Sequence, residues 1–165
     1  MNEPTSEPIN ELRFMSDSEG ATESIGAALA ASLNAWDFVA LYGGLGAGKT
    51  AFCRGIVSAL GSGDCASPTF TIVREYPTNP PVFHFDAYRL SGEAELYDMG
   101  CEEYFSRPGI VLMEWPERVQ GVLPDSRIAV EIDGSGEQPR SIRILNLSNS
   151  AYAAIKEAAR EYIVD

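Results

Sequence analysis

The sequence predicts an α/β fold, a single layered domain with a mixed sheet flanked by helices. Three observations predict it. An apolar run, Phe38-Val39-Ala40-Leu41-Tyr42, leads into a glycine loop and then into a helical pattern. Two pairs of short β-branched or aromatic runs, over 69–76 with 82–86 and over 127–132 with 141–147, have the spacing of hairpins. Between those pairs lies a buried-strand pattern, Ile110-Val111-Leu112-Met113.

The bulk properties bound the problem. The chain has 165 residues, 45% hydrophobic and 22% charged, the composition of one ordinary globular domain. Its formal net charge is −12, from 12 basic and 24 acidic residues. Nucleic-acid affinity depends on Lys and Arg at phosphates, so this balance argues against direct tight binding to RNA or DNA. The acidity suits a solvated surface or a basic protein partner. Residues 1–10 are acidic and proline-containing and read as a disordered tail, with the folded domain over 11–165. The start lacks the basic and apolar regions of a signal peptide, and no apolar run reaches membrane-span length, so a cytoplasmic protein is expected. Cys53, Cys65 and Cys101 are not in metal-binding spacing and read as reduced thiols.

In chain order, Leu12 to Met15 suits a short strand. Ser18 and Glu19 offer helix-start chemistry, and Ile25, Ala28, Leu29 and Leu33 form an apolar stripe, so a helix over about 20–33 is expected. The strand 38–42 follows. Phe52, Ile56 and Leu60 recur at helical spacing beyond the glycine loop. Ser67-Pro68-Thr69 opens the next strand run, within which Thr71 reads as ordinary β-propensity. Residues 82–86 form its hairpin partner. Residues 93–99 suggest a short helix ending at Gly100, and 102–105 another. The last hairpin carries Gly134 and Gly136 in its connection, and residues 149–163 read as a terminal helix.

The organising stretch is Gly43-Gly44-Leu45-Gly46-Ala47-Gly48-Lys49-Thr50, a match to G-x-x-x-x-G-K-[ST], the phosphate-binding P-loop. The glycines let successive N–H groups point at an anion, and the following helix adds its N-terminal dipole. In this motif the lysine, Lys49, reaches the β- and γ-phosphates, and the hydroxyl of Thr50 binds Mg²⁺. Lys49 is one of only two lysines in the chain.

A P-loop ATPase also needs a metal-side carboxylate and a group to orient the attacking water. Ligands of open α/β sheets bind beyond the carboxyl ends of strands. Asp86 and Glu114 each end an apolar strand run and are the candidates. Thr69 lies where a switch-like hydroxyl would sense the γ-phosphate. His84, the only histidine, sits between Phe83 and Phe85 and reads as a core or face residue before a catalytic base. Neither lysine belongs to the Asn-Lys-x-Asp signature of a GTPase. A small-molecule kinase and a nucleotide-gated binding module remain as alternative classes.

Four segments, Gly43 to Thr50, Ser67-Pro68-Thr69-Phe70, His84-Phe85-Asp86-Ala87-Tyr88-Arg89-Leu90 and Glu114-Trp115-Pro116, stand in the order found in the TsaE (YjeE) family. The resemblance runs from about Ser18 to about Leu147. It implies a P-loop NTPase fold and an ATP- and Mg²⁺-dependent ATPase required for threonylcarbamoyl modification of adenosine in bacterial tRNA. It implies action with TsaD, which performs the transfer, and TsaB, its scaffold, with tRNA met through those partners. By similarity, Lys49 and Thr50 serve nucleotide and metal, Glu114 is the second metal-side residue, and Asp86 is the catalytic or water-orienting acid. Ser67 to Thr69 resembles the switch segment, Thr22 lies near the adenine, and Arg140 approaches the nucleotide from the last hairpin. Two positions depart from the family: Gly44 replaces a usual aspartate, and Ala51 a usual small hydroxyl residue. Gly44 adds backbone freedom and removes a charge near the phosphates, which bears on nucleotide affinity and basal hydrolysis rather than on the fold.

Overall fold

The computed structural model describes residues 10–63, 65–68 and 71–165. Most of the acidic tail, and Thr69, lie outside the described residues.

Among the described residues, seven strands form one mixed sheet: β1 (Leu12–Ser16), β2 (Phe38–Gly43), β3 (Val73–Tyr76), β4 (Val82–Asp86), β5 (Ile110–Glu114), β6 (Ile128–Asp133) and β7 (Arg140–Leu145), in the spatial order β1-β7-β6-β2-β5-β4-β3. The central strands β6, β2, β5 and β4 run parallel, and the outer pairings β1–β7, β7–β6 and β4–β3 are antiparallel. The carboxyl ends of β2, β4, β5 and β6 therefore open on one edge of the sheet, where ligands of such folds bind. Strands β2 and β5 are buried along most of their length because both faces are covered, whereas β6 leaves Glu131 and Asp133 on the face opposite buried Val130 or at its end.

Alternation along the strands separates two cores. On one face, Val39, Leu41, Ile110 and Leu112 pack under α1 (Glu19–Ala30) and α2 (Lys49–Ala59). On the other, Phe83, Phe85, Val111 and Met113 pack with residues of α3 (Glu93–Asp98), α4 (Cys101–Phe105) and the 3₁₀ segment Pro116–Val122. His84 and Asp86 thereby share the α1–α2 face of β4.

Helix α1 starts where Ser18 Oγ accepts a hydrogen bond from the Ala21 amide at 3.0 Å, as an N-cap does. It crosses α2 closely. A Cβ on Gly26 would stand 2.3 Å from the Phe52 carbonyl oxygen, and one on Gly55 would stand 2.0 Å from that of Glu23. This approach brings α1, and Thr22 on it, beside the glycine loop.

Three expectations shift. The first helix ends at Ala30 rather than near 33. The terminal helix α5 (Asn149–Ala158) gives way to a 3₁₀ turn, Arg160–Tyr162, because the chain end pairs with the sheet edge: Ile163 bridges Phe14, and the Val164 amide donates to the Arg13 carbonyl at 3.0 Å. Thr71 lies in a turn rather than a strand. Ile72 takes φ 65°, which no extended strand tolerates, so β3 begins only at Val73.

Candidate active site

The glycine loop joins β2 to α2 as the motif requires. Gly46 (φ 74°) and Gly48 (φ 112°) adopt left-handed backbone that side chains disfavour, and α2 begins at Lys49. Gly43 is required for a second reason: a Cβ there would meet the Ile132 carbonyl oxygen at 2.6 Å.

The loop borders a cavity of about 650 Å³ lined by Leu45, Gly46, Ala47, Gly48, Lys49, Thr50, Thr22, Asp86, Glu114 and Arg140, among others. Every candidate site residue in the described regions lines it except Gly43 and Gly44, whose carbonyls instead accept hydrogen bonds from Lys49 Nζ at 2.5 and 2.9 Å. The Lys49 ammonium also lies 3.8 Å from the centre of the Trp115 ring, a cation–π contact. Trp115 is held at φ 58° where the chain leaves β5. Burial lowers the Lys49 pKa, opposed by the negative charges of Glu114, Glu117 and Asp86.

The two strand-end carboxylates differ in surroundings. Glu114 is buried, 3% exposed. Thr50 Oγ1 donates to its Oε1 at 3.2 Å, and His84 Nε2 lies 2.6 Å from its Oε2. Asp86 is half-buried; its Oδ2 accepts from Ser67 Oγ at 3.0 Å and its Oδ1 from the Tyr88 amide at 3.0 Å. The structure thus ties the segment at Ser67 directly to Asp86.

His84 is buried, as the sequence suggests, but its contact with Glu114 makes it part of the site. Burial disfavours the charged ring, while Cys53, Cys65 and Glu114 favour it, and the balance raises the His84 pKa well above the ordinary value. Burial, opposed by the nearby His84, pushes the Cys53 thiol up to about 11. Cys53, His84 and Glu114 offer ligand atoms within 4.8 Å of one another. A zinc ion would hold its nitrogen and oxygen ligands about 3.3 Å apart, and the direct 2.6 Å His84–Glu114 contact leaves no such gap.

Arg140 lines the cavity but is turned to the loop itself. Its Nε donates to the Ala47 carbonyl at 3.0 Å and its Nη2 to that of Gly46 at 3.3 Å, with further bonds to the Gln138 and Gly136 carbonyls. These bonds tie the connection of the last hairpin to the carbonyls of the glycine loop. Thr22 Oγ1 is bonded to Ser16 Oγ at 2.7 Å, while its methyl approaches Gly48.

The arrangement fits a nucleotide with Mg²⁺. A left-handed glycine turn at a helix N-terminus presents donors to phosphate. A hydroxyl and a carboxylate already in mutual contact form the hard oxygen donor set that Mg²⁺ takes. Loop, lysine, hydroxyl and strand-end acid on this sheet define the class: a P-loop NTPase fold.

The comparisons narrow the class to one family. A model of the family described as "Threonylcarbamoyl adenosine biosynthesis protein TsaE" matches residues 16–142. The "tRNA threonylcarbamoyladenosine biosynthesis protein TsaE" of Bacillus subtilis is 34% identical over 154 residues, covering 92% of this chain and 96% of that protein. The protein of the same description from Haemophilus influenzae is 42% identical over 113 residues, 67% of this chain and 71% of that one. The crystal structure of Bacillus subtilis YdiB aligns with a TM-score of 0.73 at 30% identity, covering 94% of this chain and 99% of that one. The chain belongs to the TsaE family.

Proposed function

We propose that this protein binds ATP with Mg²⁺ and hydrolyses it as a component of the bacterial tRNA threonylcarbamoyladenosine machinery, acting with TsaB and TsaD rather than transferring the threonylcarbamoyl group itself. The observation that carries the reading is the Thr50–Glu114 hydrogen bond at the foot of the P-loop, with Asp86 at the paired position of the adjacent strand.

Gly43 to Gly48 cradle the phosphates with backbone N–H groups, and Lys49 leaves the Gly43 and Gly44 carbonyls to neutralise them. Thr50 and Glu114 hold Mg²⁺, which when bound screens the charge of the phosphates. Asp86, the less buried carboxylate, orients the attacking water. Thr22 and Arg140 border the nucleotide, and Thr69 senses its terminal phosphate from the switch segment. Two features support slow hydrolysis by the isolated chain. Lys49 is engaged by loop carbonyls and Trp115. Of the arginines lining the cavity, Arg140 is bound to the loop carbonyls in place of serving as an arginine finger, a device worth about 10³–10⁵ in rate where it is used. A net charge of −12 supports tRNA contact through partners. No helix among the described residues is long and apolar enough to cross a membrane, consistent with a cytoplasmic site of action.

The test is ATP turnover by the purified chain with and without TsaB and TsaD. Turnover that rises with the partners supports the proposal. Equal turnover in both mixtures contradicts partner dependence, and nucleotide binding without turnover in any mixture favours a gating module.

A further inference from the structure

The site contains a side chain that its motifs do not explain. His84 is fully buried on β4, two residues before Asp86 and on the same face. Its Nε2 lies 2.6 Å from Glu114 Oε2. An ionised carboxylate only accepts hydrogen bonds, so Nε2 carries the proton and donates. This holds for either charge state of the ring. The other carboxylate oxygen, Oε1, is the nearer acceptor for Thr50 Oγ1, at 3.2 Å against 3.5 Å to Oε2. Glu114 is therefore clamped from both sides, by a hydroxyl on the cavity side and an imidazole beneath the sheet's end.

We propose that His84 is a positioning residue for Glu114: its donated hydrogen bond occupies Oε2 and fixes the carboxylate so that Oε1 stays with Thr50 at the metal position. The inference rests on the nucleotide and Mg²⁺ reading of the site given above. The physical reason is burial. A carboxylate 3% exposed has little water to hold it, so its orientation is set by the donors that the fold supplies. Ligating carboxylates are commonly held by such outer partners, and losing one costs about 10–100-fold in metal affinity or activity. The position of His84 follows from the register. Asp86 pairs with Glu114 and His84 with Leu112, so the imidazole sits one pleat behind the carboxylate pair and reaches forward to Glu114. A single apolar replacement at 84 would remove the donor while leaving Thr50, Lys49 and the glycine loop unchanged in sequence.

The experiment uses the full chain with a fluorescent ATP analogue, titrated first in EDTA and then with Mg²⁺, for the wild type, His84→Leu, His84→Gln and His84→Asn. A glutamine amide nitrogen can reach the place of the ring Nε2; an asparagine amide is too short. The proposal expects metal-free nucleotide binding within about twofold of wild type in all variants. It expects the Mg²⁺ concentration for half-saturation to rise about 10–100-fold in the Leu and Asn variants and most of that loss to be recovered in Gln. If His84→Leu does not fold, judged by its thermal transition, the Gln–Asn pair carries the comparison alone. Leu matching wild type in its Mg²⁺ dependence, or Gln and Asn behaving alike, overturns the proposal while leaving the nucleotide reading in place. A wild-type chain that binds no nucleotide in either condition overturns both.

Discussion

Asp86 and Glu114 occupy paired positions at the ends of two adjacent parallel strands, yet the fold gives them opposite surroundings. Glu114 is buried between Thr50 and His84, whereas Asp86 is half-buried and held by Ser67 and the Tyr88 amide. In the proposed function this difference assigns the buried acid to the metal and the more open one to water. Asp86→Asn should keep nucleotide affinity and lower turnover by about 10²–10⁴-fold, the range for a lost acid–base or water-orienting group. Glu114→Gln should also weaken Mg²⁺-dependent binding. Rapid turnover by Asp86→Asn in the presence of partners would contradict this division of roles.

Gly44 follows the first glycine of the loop, and the structure shows that glycine is not needed there. No atom of the described residues lies within 4 Å of where its Cβ would be, and its backbone is outside the left-handed region. Gly44→Ala should therefore raise stability by about 0.4–1 kcal/mol by restricting the unfolded chain, and Gly44→Asp should fold normally. Denaturant titration checks this; a fall in stability of either variant would show a constraint on the loop backbone.

Gly55 is the opposite case. A Cβ would be driven 2.0 Å from the Glu23 carbonyl oxygen, a backbone atom with no rotamer to yield. Gly55→Ala should force α1 and α2 apart at a cost of about 1–3 kcal/mol, lowering Tm by about 3–10 °C. Because Thr22 rides on α1 beside Gly48, nucleotide affinity should fall with it. An unchanged Tm would mean that the two helices are free to separate.

Edge strand β1 is tied to β7 by Glu11, which accepts hydrogen bonds from Arg143 at 2.7 Å and Arg13 at 2.8 Å. The Arg143 contact, ahead of the opposing effect of burial, lowers the Glu11 pKa. A depressed folded pKa contributes stability above the unfolded value of about 4.3, and that contribution is lost as pH falls through the folded value. Chemical denaturation at pH 7 and at about pH 3.5 should show wild type losing more stability than Glu11→Gln on acidification. Parallel losses would show that the pair contributes nothing.

Much of this site is readable before folding because it depends on contiguous residues. The glycine loop, Lys49 and Thr50 are one segment, and their chemistry requires no distant partner. Asp86 and Glu114 could be nominated because each ends an apolar run, and strand ends are where α/β sheets bind ligands. The His84–Glu114 bond could not be read the same way, since it depends on the parallel register of β4 against β5 across 30 residues of sequence. Period-two alternation placed His84 and Asp86 on one face of β4, but only that register puts Glu114 within reach. The Arg140 bonds to the Gly46 and Ala47 carbonyls span more than 90 residues and are equally silent in the sequence. Thr71 misled because β-propensity does not register the left-handed backbone of Ile72 beside it.

Phosphate release from the purified chain, alone and with TsaB and TsaD, beside Lys49→Ala, decides whether the P-loop drives partner-dependent ATP hydrolysis. Release should be slow alone, rise clearly with both partners, and lose that rise in the variant. Turnover indifferent to the partners, or a full rise in Lys49→Ala, would contradict the proposed function.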